Sequence, residues 1–354
     1  NTALDVLKIG TNRREEMPWK GYIDEFKIYE RGLSSQEVCN LYNNNSPITT
    51  AASCTQESRV AAQDEPAYVT IVDDNTKAVA IEFSPDGSKL YLIVGRANSD
   101  HKVVQYNLST PWDVRTAVSG PTMYLTNGTW YDTYWTNDLV WNPDGKKLIV
   151  LNDSSSADQS RIRVYNVPTP YDLGSLVATN PTPEATFSIE VHSAVTIDHP
   201  LTFEFNSSGT KMIVGGFDSY ASDQERYQRI QEFDLAGSYD FSTITKLSPT
   251  PYATFEYGGN DAIDEVIWKA DGTKFITLNL NGDVHMYSVS DRFDLSNSTI
   301  TKDGLILSLS VPDNQKYSQI TKFEGLHFNS SQNRLYYIQN SDSKVLVGSV
   351  PFSW

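Results

Sequence analysis

The chain has 354 residues, 44 of them acidic against 28 basic, for a formal charge of −16 and a pI near 4.7. Nothing in that balance would neutralise a phosphate backbone, which argues against nucleic acid as a partner, and an anionic membrane surface is disfavoured. No apolar run reaches the roughly 18 residues of a membrane span, so no membrane insertion is expected, and the length allows two domains.

Residues 1–45 differ in texture from the rest of the chain. Leu7-Lys8-Ile9-Gly10 is a short strand signal, and Gly21 to Tyr29 alternates like a half-buried strand, with Asp24, Phe26 and Ile28 on one face. Ser34 with Glu37 three residues on forms a capping box for a short helix striped by Val38, Leu41 and Tyr42. The run Trp19 to Val38 resembles the C-terminal end of a laminin-G-like, concanavalin-A-like jelly roll, in which such a segment supplies the last strand and a terminal helical turn. The resemblance implies that 1–45 is the C-terminal part of a β-sandwich whose remainder lies upstream of Asn1. Two strands and a turn bury too little apolar surface to fold alone.

Cys39 and Cys54 are candidate disulfide partners and are equally compatible with free thiols; a bridge closing that loop would contribute about 3 kcal/mol. Residues 46–65 are small, polar and aperiodic and read as a linker.

From Pro66 a repeat takes over. Phe83-Ser84-Pro85-Asp86-Gly87 leads into Lys89-Leu90-Tyr91-Leu92, and the same strand–turn–strand pattern returns at Trp141, Phe205, Trp268 and Phe328. Pro pre-sets φ in such a turn, Asp bonds its own backbone, and Gly accepts φ > 0. The anchor aromatics are 58, 64, 63 and 60 residues apart, a period that carries only strand signals and points to a β-propeller. Third strands follow at 103–106, 162–165, 230–233, 284–287 and 345–347. Four of them run into a shared aromatic–Asp pair: Trp112-Asp113, Tyr171-Asp172, Tyr239-Asp240 and Phe293-Asp294. Fourth strands are expected at 123–125, 185–189, 253–257 and 306–309. The fifth copy ends without one, and Ala67 to Val72 is placed to supply it. The expectation is all-β: a five-bladed propeller over 66–354, closed by an N-terminal strand that leaves no free edge at the seam.

The Ser84-Pro85-Asp86-Gly87 turn and the Ser109-Thr110-Pro111-Trp112-Asp113-Val114 element resemble propeller repeats of marine-bacteriophage structural and tail-associated proteins and of related bacterial surface proteins. That resemblance implies a virion-surface or extracellular place and a role in adhesion or assembly, with a glycan, a host receptor or neighbouring structural subunits as partner, and it is compatible with a homo-oligomer.

The uniform turns and aromatic–Asp elements share one face of such a propeller; the loops of variable length share the other, where binding usually sits. On that side Trp130, Tyr131, Tyr134 and Trp135 form an aromatic cluster around Asp132, suited to stacking on sugar rings. Asn137, Asp138, Asp264, Glu265 and Glu324 lie at the starts of inner strands and should crowd the channel mouth. They are the candidate ligand-binding residues. An alternative is a glycoside hydrolase using the inner-strand carboxylates, which requires an acid and a base or nucleophile roughly 5–10 Å apart; no hydrolase motif surrounds them. A third reading is a purely architectural capsid or filament subunit. The five histidines show no metal-ligand spacing, and no Gly-x-Ser-x-Gly, phosphate loop or Cys-x-x-Cys occurs. The expectation is therefore a non-enzyme without cofactor; loop-bound calcium is left open, since such sites have no fixed signature.

Overall fold

The computed structural model describes residues 59–60, 69–70, 77–95, 101–125, 135–153, 160–188, 197, 199–218, 227–246, 253–255, 263–279, 282–296, 298–309, 323–329, 334–339 and 344–349. All lie in the unit Thr55–Trp354. The sandwich segment 1–45, Cys39, Cys54, Trp130, Tyr131 and Tyr134 fall outside the described residues.

The architecture is all-β and propeller-like. Two short strands come first, β1 (Arg59–Val60) and β2 (Val69–Thr70). The first sheet is β3 (Lys77–Phe83), β4 (Lys89–Gly95), β5 (Lys102–Leu108) and β6 (Ala117–Tyr124). The second is β7 (Trp135–Trp141), β8 (Lys147–Asp153), β9 (Arg161–Asn166) and β10 (Ala185–Ser188). The third is β11 (His199–Phe205), β12 (Lys211–Asp218), β13 (Tyr227–Gly237) and β14 (Asp240–Lys246), with β15 (Ala253–Phe255) on the other half of β13. The fourth is β16 (Ile263–Trp268), β17 (Lys274–Asn279), β18 (Asp283–Val289) and β19 (Ile300–Leu309). Last come β20 (Phe323–Phe328), β21 (Arg334–Gln339) and β22 (Lys344–Ser349).

The expectation of a five-bladed propeller needs correction in its blade count. Four sheets are complete blades, each built from consecutive antiparallel strands. The fifth sheet has only three consecutive strands and is completed by β2, with Val69 opposite Val345 and Thr70 opposite Lys344. The inner strands β3, β7, β11, β16 and β20 neighbour one another in that order, and β20 returns to lie beside β3. Apolar clusters fill the space between successive sheets. In the one that joins the last sheet to the first, Tyr336, Ile338 and Val345 pack with Ala78, Leu90 and Leu92.

Three local expectations change. The linker 46–65 contains β1, which pairs in parallel with the outer edge of β19, Arg59 opposite Ser308. The outer strands β6 and β19 are longer than the apolar runs that mark them, because backbone pairing continues through polar residues facing solvent. In the third sheet the outer position is shared by β14 and β15, since β13 is long enough, at 11 residues, to pair with both.

The aromatic–Asp elements have a structural explanation. Trp112, Tyr171, Tyr239 and Phe293 all adopt positive φ, 65°, 56°, 51° and 51°. Each donates its backbone N–H to the carbonyl of the turn glycine in its own sheet: Gly87 (2.9 Å), Gly145 (2.9 Å), Gly209 (2.7 Å) and Gly272 (3.0 Å). The ring then lies on the space a Cβ of that glycine would occupy. Two of these clamps also tie sheets together: Tyr336 of β21 donates its hydroxyl to the Trp112 carbonyl at 2.7 Å, and Tyr91 of β4 donates to the Tyr171 carbonyl.

Candidate functional site

Counting back from each anchor aromatic puts equivalent inner-strand residues in register. One position back stand Glu82, Val140, Glu204, Ile267 and His327, all half-buried. Three back stand Ala80, Asp138, Thr202, Glu265 and Gly325, all buried. With a period of 2 both sets face the channel. Every inner strand also slips register near this level: the breaks fall between Ala78 and Ala80, Thr136 and Asp138, Pro200 and Thr202, and Ile263 and Glu265, and in β20 one residue later, between Glu324 and Leu326. Such bulges bend a strand and re-aim the next side chain.

The buried level is a hydrogen-bonded chain across sheets. Asp138 accepts at Oδ1 from its neighbour Leu139 N–H (2.7 Å) and at Oδ2 from Phe203 N–H (2.9 Å). Thr202 Oγ1 lies 3.1 Å from Asp138 Oδ2 and 2.6 Å from Glu265 Oε1. Glu265 also accepts from Val266 N–H at Oε1 (3.2 Å) and from Leu326 N–H at Oε2 (3.3 Å). One hydroxyl has one proton and cannot donate fully to two carboxylates. The arrangement is satisfied when one carboxyl brings its own proton: that acid donates to Thr202, and Thr202 donates to the other. The electrostatics agree. Burial pushes the Asp138 acid up to about 7, and burial followed by the Asp138 charge pushes Glu265 well above the ordinary range.

The half-buried level is different. His327 Nδ1 meets Glu82 Oε2 at 3.0 Å. Glu204 accepts from Phe205 N–H at 3.0 Å, and burial, reinforced by the Glu82 charge, raises its acid well above the usual value. A cavity of about 310 Å³ runs from Asp138 and Glu265 past this level to Ala270 and Asn329 at the tight-turn end of the channel.

Of the residues singled out from sequence, Asp138 and Glu265 are brought together through Thr202. Asp264 Oδ2 accepts from Gly325 N–H at 3.3 Å, and Asn137 Nδ2 donates to the Pro200 carbonyl at 2.9 Å, so both stitch neighbouring inner strands. Glu324 sits half-buried in β20. Trp135 begins β7, away from the tight-turn end of that strand. Sequence reasoning missed Glu82, Thr202 and Glu204. The signal was available in the alternation itself, because the residue before each anchor aromatic shares a face with Asp138. Among the described residues, no group of three or more His, Cys, Asp or Glu is placed to hold a metal ion.

No protein-family model matches the chain, and no curated protein matches it in sequence. Among solved structures, a periplasmic gluconolactonase of Pseudomonas aeruginosa is similar over 73% of this chain and 64% of that one, at 13% identity and a TM-score of 0.41. The matched part is thus less than two thirds of that structure's length. A likeness this distant carries no residue role across.

Proposed function

We propose that this chain is a non-enzymatic attachment or assembly module of an extracellular or virion surface. The propeller is its rigid platform, and the loops of variable length, with Trp130, Tyr131, Tyr134 and Trp135, meet a cell-surface glycan, a host receptor or a neighbouring subunit. The placement at a surface rests on the repeat resemblance and the acidic composition.

The observation that supports a non-catalytic role is the employment of the channel carboxylates. Asp138 and Glu265 each use both oxygens on donors from their own and neighbouring strands. A glycosidase keeps two carboxyl groups roughly 5–10 Å apart and directed at substrate. These two meet across a single threonine hydroxyl and act as ties between inner strands.

A glycan array and a glycosidase screen, run on the full chain and on Asp138→Asn, Glu265→Gln and Trp130→Ala, test the reading. Surface or glycan binding that survives the carboxylate substitutions, is lost in Trp130→Ala and comes without turnover is expected. Turnover that disappears in Asp138→Asn or Glu265→Gln would overturn it in favour of a hydrolase. Binding to neither glycan nor cells, with self-association through the same face, leaves the architectural form of the proposal.

A further inference from the structure

The tight-turn end of the channel holds a cavity lined by residues of the inner strands and their turns. Its volume of about 310 Å³ stands at the lower end of the roughly 300–1,000 Å³ usual for small-molecule sites, room for one ring-sized ligand. The walls alternate in chemistry. Val140 and Ile267, with Phe328 below, are apolar, while Glu82, Glu204 and His327 fill the other positions of the same level.

The polar groups are set in fixed roles. Glu82 takes His327 Nδ1 on one oxygen, which orients the imidazole and leaves Nε2 for a ligand. The other Glu82 oxygen is an acceptor. Glu204 spends Oε1 on the Phe205 N–H, and its burial favours the neutral acid, whose O–H is a donor. The level therefore offers an acceptor, a donor and a group able to be either.

This mixture selects among ligands. A carboxylate or phosphate would face Glu82 and the charge shared by Asp138 and Glu265. A metal ion wants several ionised ligands converging, and no such group exists among the described residues. An organic ammonium only donates, so it makes no use of an imidazole N–H at this level. Hydroxyl groups both donate and accept, and the C–H faces of a polyol or sugar ring lie well on Val140, Ile267 and Phe328. We infer that this cavity is a binding site for a small neutral polyhydroxylated ligand, a monosaccharide or cyclic polyol, held by Glu82, Glu204 and His327. The site does not depend on the adhesive role proposed above.

The test uses saturation-transfer NMR and calorimetry on the full chain. The probes are the methyl glycosides of glucose, galactose and mannose, together with myo-inositol; tetramethylammonium and acetate are the comparison ligands. At least one neutral probe should bind. Val140→Phe, which fills the cavity from an apolar position, should abolish binding. Glu204→Met, which keeps the length of the side chain and removes its donor, should weaken it about tenfold, the worth of one hydrogen bond at roughly 1.4 kcal/mol. Val177→Ala, at a fully exposed position, should leave it unchanged. Thermal melts identify any variant that fails to fold; if Val140→Phe does, Glu204→Met and Glu82→Gln decide. The proposal is overturned if no neutral probe binds, if only tetramethylammonium does, or if Trp130→Ala removes binding that the folded cavity variants keep. In that last case the sugar sits on the loops and only the attachment reading survives.

Discussion

Raising the pH should weaken the fold by loosening the Asp138–Thr202–Glu265 tie, and Asp138→Asn or Glu265→Gln should blunt that response. Both acids titrate near 4 in an unfolded chain. In the folded protein burial raises Asp138 to about 7 and Glu265 further above its usual range. Between about pH 4 and 7 the folded pair therefore holds a proton that the unfolded state has released. This stability is complete below about pH 4 and is lost as pH climbs through about 7. Each such carboxyl costs up to about 1.4 kcal/mol per pH unit across the window. From pH 5 to 7, a variant lacking one titrating group should lose about 1–3 kcal/mol less than the parent. Asn at 138 also forfeits an acceptor for buried N–H groups, costing about 1–3 kcal/mol at every pH, so the slope is the readout. Glu82, Glu204 and His327 line the same cavity and are present in parent and variants alike, so the comparison isolates the substituted carboxyl. Urea unfolding at pH 5, 6, 7 and 8 measures the slopes, and infrared absorption of a protonated buried carboxyl would report the retained proton directly. Parallel pH profiles in parent and variants, or a parent whose stability rises from pH 5 to 7, would refute the shared-proton account.

Three further outcomes are expected. Gly145→Ala should destabilise by about 2–4 kcal/mol, since the residue has φ +69° and its Cβ would enter the Tyr171 ring. Gly237→Ala, whose nearest contact would be 3.6 Å away at ordinary φ, should cost under about 1 kcal/mol in the same denaturation assay. Tyr336→Phe should lower stability by about 1 kcal/mol through loss of the bond to the Trp112 carbonyl, with the fold retained by circular dichroism. An unchanged midpoint would show that the bond across the seam contributes nothing.

Much of the propeller was legible because its signals are short-range. Pro85, Asp86 and Gly87 encode a turn through φ limits and a side-chain bond, and the same chemistry returns at Asp144-Gly145 and Asp271-Gly272. The strand borrowed from upstream was legible too, because the last copy lacks one and Val69 has the right texture. The complete-blade count and the doubled outer strand of the third sheet were not, since they depend on how far backbone pairing runs past the apolar residues that advertise a strand. Trp112 and its counterparts looked like a family mark; their positive φ and seat on the turn glycines make them clamps.

The chain by itself determined the repeat, its turns and the face each inner-strand residue takes, because alternation and steric limits act over a few residues. Only the tertiary structure decided that Asp138 and Glu265 meet at Thr202, that Glu82 orients His327, and that several of these acids are pushed toward their neutral forms. Those outcomes depend on burial and on strands from different repeats packed side by side, and neither quantity exists until the inner strands have assembled.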